Sequence, residues 1–194
     1  MKRAVKTDLG FCICFVISEP GRRPTFAAEY TMANLPSKEP DLKKYRRFLE
    51  RANKNVVLKA LPVLHEKAFG QINCLDCAAC CKNYSPRFKT PDIKRISRHL
   101  KMKESGFIEK YLVLDEDGDF VVPSKPCPFL GADNACSIYE IRPSDCTRFP
   151  YTDEDVLIKR KNITLKNASF CPAVAFVLDE LVSLQSSVEK AHIK

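Results

Sequence analysis

Residues 74–81 read CLDCAACC, placing Cys74, Cys77, Cys80 and Cys81 in one run of eight. Four thiols this close are hard to explain as core filling. A spacing of two between cysteines turns neighbouring sulfurs inward, so that they can converge on one ion or cluster. Four more cysteines follow: Cys127, Cys136, Cys146 and Cys171. Eight thiolates could supply two four-ligand sites, or one site with spares. Soft sulfur ligands select zinc, copper(I) or an iron–sulfur centre over magnesium or calcium. Zinc needs any four that close a tetrahedron, with sulfurs roughly 3.5–4 Å apart. A cluster such as 4Fe–4S spreads them to about 6 Å, because each thiolate caps a different iron.

Cys74, Cys77 and Cys80 match the opening C-x2-C-x2-C of the ferredoxin-type run, whose fourth ligand is followed by proline; Cys127-Pro128 and Cys171-Pro172 both qualify. Disulfides would need an oxidising compartment and leave the adjacent Cys80 and Cys81 awkward. The first four cysteines are therefore expected to face the later four, with metal giving shape to the irregular stretch 127–171. His65, His99 and His192 are the only histidines, and surface or packing roles suffice for His65 and His99.

Outward from the cysteines the chain reads as helix. Upstream, Leu42, Tyr45, Leu49, Ala52, Val56, Ala60 and Leu64 recur at steps of three and four, predicting an amphipathic helix kinked or split at Pro62 and ending near Gly70. Downstream, Thr90-Pro91-Asp92 starts another helix, with Pro in the first turn, and a short helix is expected over 105–111. Leu112-Val113-Leu114 and Phe120-Val121-Val122 flank an acidic turn and read as a small hairpin. Asp115, Asp117 and Asp119 open like a calcium loop, but Phe120 and Pro126 stand where Gly and an acid are needed. Residues 156–165 are predicted to hold a strand. A last helix starts at Cys171-Pro172, with Val174, Val177, Leu178, Leu181 and Leu184 as its stripe. The fold class expected is mainly α with one small β-hairpin, an irregular cysteine-rich core flanked by helices and held by metal.

The chain has 194 residues, 10 cysteines, 6 glycines and no tryptophan. So few glycines argue against a large nucleotide-binding fold built on Gly-rich turns. Residues 1–31 are expected to be a leader outside the fold, with Met32 reading as a natural start and 32–194 as a single domain. The apolar run 9–17 contains Cys12 and Cys14, is too short to span a bilayer, and lacks a clean cleavage site; a short secretion signal is the rival reading. No membrane span is expected. The net charge of +8 is uneven: residues 32–111 hold 18 Lys and Arg against 8 Asp and Glu, whereas 112–194 hold 9 against 13. A basic face over 32–111 can meet an acidic macromolecule, or be a solvated pair of lysine-rich helices.

The order of motifs resembles a known family. CLDCAACC (74–81), TPDIKRI (90–96), KPCPFLGADNACSIYEIRPSDCTRFP (125–150) and FCP (170–172) look like the YkgJ-type cysteine-cluster family, described as zinc- or iron-chelating proteins, over about residues 70–172. The resemblance implies a cytoplasmic protein binding zinc or an iron–sulfur centre through the eight cysteines, with no agreed reaction. The same module occurs in flagellin lysine N-methylases, so a cluster-dependent transferase is one alternative. A zinc-stapled interaction module using the basic half is another. Near Cys146, Arg142 is expected to pair with Glu140 or another carboxylate, and Tyr139 to pack against the site.

Overall fold

Asp41 begins the first helix: its carboxylate accepts the Lys44 amide at 2.9 Å, the usual cap for a helix start. The structure, a computed structural model, describes residues 39–192, with side chains as far as Ser187. The expectations for residues 1–31, Cys12, Cys14 and the His192 side chain lie outside the described residues. Helix α1 (Leu42–Arg51) buries Tyr45, Phe48 and Leu49. Ala52 is extended (ψ 132°), and Asn53 accepts the amides of Asn55 and Val56 to start α2 (Lys54–Phe69).

The break therefore falls at residues 52–53 and not at Pro62, which lies inside α2. Proline removes one backbone donor. The buried Leu61 and Leu64 on either side of it belong to the core that α2 shares with the last helix, and that packing keeps the helix continuous. Asn53→Ala should cost about 1 kcal/mol, read as a lower melting temperature with an unchanged helical signal.

The last helix, α10 (Pro172–His192), supplies the other wall of this core. Val174, Val177, Leu178 and Leu181 are buried against Tyr45, Leu49, Leu61 and Leu64, and the Tyr45 hydroxyl donates to the Ala175 carbonyl at 3.2 Å. Residues 156–165, expected as a strand, are helical instead: α8 (Val156–Lys159) and α9 (Lys161–Ala168). The reason is tertiary. Leu157, Leu165 and Ala168 all enter this core, and buried Thr164 donates to the Leu157 carbonyl at 2.9 Å, which the helical turn permits. A β-branched composition is a weak preference that packing overrides. Part of the charge asymmetry closes here, through Lys44–Asp179 (3.1 Å) and Lys67–Glu180 (2.7 Å).

A second core forms around α5 (Thr90–His99), α6 (Glu104–Tyr111) and a hairpin of β1 (Val113–Leu114) and β2 (Phe120–Val121). The strands are antiparallel, Val113 opposite Val121 and Leu114 opposite Phe120. Phe107 is fully buried, with the rings of Tyr111 and Phe129 at 5.3 and 6.3 Å; burying such a ring contributes about 1.5–3 kcal/mol. Asp115 organises the turn, accepting the amides of Asp117 (3.0 Å) and Asp119 (2.9 Å). No single described helix is long and apolar enough to cross a membrane. Helix α9 with 172–187 passes that test only as a pair bent by 114°.

Candidate metal centre

The cysteine run folds as two short helices joined by a reversal. Asn73 accepts the Leu75 amide at 3.1 Å and starts α3 (Cys74–Cys77). Ala78 then adopts a left-handed conformation (φ 47°, ψ 17°) before α4 (Ala79–Asn83). That conformation costs an L-residue roughly 1–2 kcal/mol, but the Ala78 methyl is buried. Within α4 the sulfurs of Cys80 and Cys81 lie 3.9 Å apart, inside the range that tetrahedral zinc–sulfur bonds of about 2.3 Å require.

The later cysteines come from three further segments. The Cys127 amide donates to the Cys81 carbonyl at 2.8 Å, which fixes this loop directly against the first group. Cys136 is bridged to Leu130. Both Cys127 and Cys136 pack against the second core. Cys146 sits on α7 (Ser144–Arg148), after a 3-10 turn over Tyr139–Ile141. Cys171 is buried in the first core, and its amide donates to Asn167 at 2.8 Å. The thiols are thus contributed from both cores.

The thiols also act on one another electrostatically. Cys74 is exposed, yet desolvation by the surrounding chain, and then the charges of Cys80 and Cys77, raise its thiol. Burial takes Cys171 to about 12, with Cys74 and Cys77 again among the causes. Cys146 is raised by burial and then by Cys80 and Cys127. In the vicinal pair, the Cys81 thiol stabilises the Cys80 thiolate, holding Cys80 below the usual thiol value and pushing Cys81 above it. Thiols raised in this way stay protonated without a cation, and ionising several together would set like charges side by side, a penalty that a soft cation would relieve. By donor chemistry the set fits zinc or an iron–sulfur centre. Among the described residues, no group of three or more His, Cys, Asp or Glu side chains is closed enough to hold an ion. The eight described cysteines are free thiols.

Arg142 departs from expectation. It pairs with no carboxylate among the described residues; its guanidinium lies over the Tyr139 ring at 3.9 Å and donates to the Tyr139 carbonyl at 2.7 Å. There its charge eases ionisation of Cys74 and Cys136. His65 Nδ1 lies 2.9 Å from Thr152 Oγ1 and the ring packs on Phe69; His99 is exposed on α5.

Two aspartates are buried acceptors whose distant partners the sequence reading did not foresee. Asp92 caps α5 and also accepts both the amide (3.1 Å) and hydroxyl (3.0 Å) of Ser144. Asp145 accepts the hydroxyls of Tyr84 and Tyr151. Burial and then that bond raise both phenols, Tyr151 to about 12 and Tyr84 further, so both stay protonated donors at neutral pH. Asp92 left a local signal, an acid at the third position of a Thr-Pro-Asp helix start; Asp145 left none.

A family model described as "CxxCxxCC: Putative zinc- or iron-chelating domain" matches residues 73–172. No curated protein and no solved structure matches the chain.

Proposed function

The chain belongs to the CxxCxxCC family, and from that premise we propose that it is a metal-binding protein that holds zinc or an iron–sulfur centre on thiolates drawn from Cys74, Cys77, Cys80, Cys81, Cys127, Cys136, Cys146 and Cys171. The observation that carries the reading is the contact between the first cysteine group and the later loop, where the Cys127 amide donates to the Cys81 carbonyl at 2.8 Å. The Cys80–Cys81 separation of 3.9 Å supports it. Bound zinc would supply a structural staple, and an iron–sulfur centre would supply electron transfer. In either case metal would hold the irregular stretch 122–151, whose backbone makes few regular ladders. The single domain 32–194 and a reducing, cytoplasmic setting belong to the same proposal, because thiolate sites survive where disulfides do not form.

Anaerobic purification followed by metal analysis tests it. A brown protein with visible thiolate-to-iron absorption means an iron–sulfur centre. A colourless one carrying zinc means a structural site. A colourless, metal-free protein that takes up neither ion would overturn the reading.

A further inference from the structure

One buried carboxylate bonds to more than one of the thiol-bearing segments. Asp145, 4% exposed, directly precedes Cys146 in α7. Its Oδ2 accepts the Tyr84 hydroxyl and the Arg87 amide (3.0 Å), and its Oδ1 accepts the Tyr151 hydroxyl. Tyr84 is itself tied to the first cysteine group, since its amide donates to the Cys80 carbonyl at 2.7 Å. The Tyr84 ring stacks on Phe149 at 5.1 Å, and Phe149 stacks on Phe170 at 6.1 Å, the neighbour of Cys171. A single network thus spans the segments carrying Cys80–Cys81, Cys146 and Cys171.

An aspartate offers two acceptor oxygens to these donors, whereas an asparagine offers one and brings an NH₂ group in place of the other. Such a network is costly to bury and is often replaceable by apolar residues without loss of stability, so bulk stability is a poor account of it. We propose that Asp145 is a positioning residue of the thiol site: through Tyr84 it sets Cys80 and Cys81 in register with Cys146. This rests on the metal-binding reading above.

Tyr84 and Tyr151 separate positioning from plain stability. Both hydroxyls bind Asp145, but Tyr151 lies six residues along the same segment, whereas Tyr84 joins Asp145 to the other cysteine group. The test loads the full chain with cobalt(II), reads its thiolate-to-metal absorption, and measures affinity by competition with a chelator, beside a melting curve of the metal-free protein. Tyr84→Phe should weaken cobalt binding about 10-fold or more, the usual effect of losing a group that orients a ligand, and shift the absorption bands. Tyr151→Phe should lower the melting temperature as much while changing affinity far less. Asp145→Asn should follow Tyr84→Phe; if it fails to fold, the two tyrosine variants decide. Equal cobalt affinities for Tyr84→Phe and Tyr151→Phe would overturn the proposal. Wild-type protein that takes up neither cobalt nor a reconstituted iron–sulfur centre would instead sink the metal-binding reading, and this inference with it.

Discussion

On the proposed metal-binding function, treating the purified protein with a chelator is expected to remove hydrogen-exchange protection from residues 74–84 and 122–151 together, and to lower the melting temperature by more than about 10 °C. The magnitude follows from linkage. Structural zinc contributes on the order of 10 kcal/mol at neutral pH, and each kcal/mol moves the midpoint of a chain this size by about 2–4 °C. The loss should not be global. The core of α1, α2 and α10 is apolar and continuous, so its slowest amides should keep their protection.

Cys77→Ser should reproduce the effect of the chelator, releasing metal and loosening the region around Cys127, Cys136 and Cys146, although these lie 50 residues or more away. Loss confined to residues 70–90, with metal retained elsewhere, would mean that the two cysteine groups form independent sites. Unchanged metal and unchanged protection would remove Cys77 from the ligand set.

Asp92→Asn should destabilise the fold by about 3 kcal/mol, the scale for a buried charge losing charge-assisted hydrogen bonds. Asp92 is 2% exposed. It accepts Arg95 at 2.8 Å and both Ser144 donors, while Arg95 also reaches the Arg142 carbonyl at 2.9 Å. This is how the start of α5 grips the start of α7, and hence Cys146.

The pH dependence has a definite sign. Burial alone would raise this carboxyl, but Arg95, Ser144 and the Lys89 amide outweigh it and hold it below the ordinary aspartate value. A depressed carboxyl contributes stability that is present above its unfolded pKa and is lost as pH falls through the folded one. Wild-type protein should therefore lose stability on acidification below about pH 4 more steeply than Asp92→Asn. Parallel acid limbs for the two proteins would show that Asp92 carries no such linkage.

The helices over 90–99, 104–111 and 172–192 and the hairpin were legible because their causes are local. Thr90-Pro91-Asp92 declares a helix within three residues, and Val174, Val177, Leu178 and Leu181 declare a buried stripe within two turns. The errors also had local causes. Pro62 is the stronger helix breaker on paper, yet Asn53 caps a new helix and packing holds Pro62 inside it. Residues 156–165 carry strand-like composition, yet Leu157 and Leu165 reach the core only as helix.

By itself the sequence determined the thiol inventory, the spacing within residues 74–81, the mainly helical class and the family match over 73–172. These are matters of residue identity and short-range periodicity, which need no knowledge of distant contacts. Only the tertiary structure decided that Cys127 lies against Cys81, that Cys171 belongs to the opposite core, and that Arg142 rests on Tyr139 rather than on a carboxylate. The same holds for the two aspartates. Asp145 meets Tyr84 across 61 residues and Asp92 meets Ser144 across 52. A buried carboxylate acquires its role from donors brought to it by packing, and no pattern along the chain encodes which donors those are.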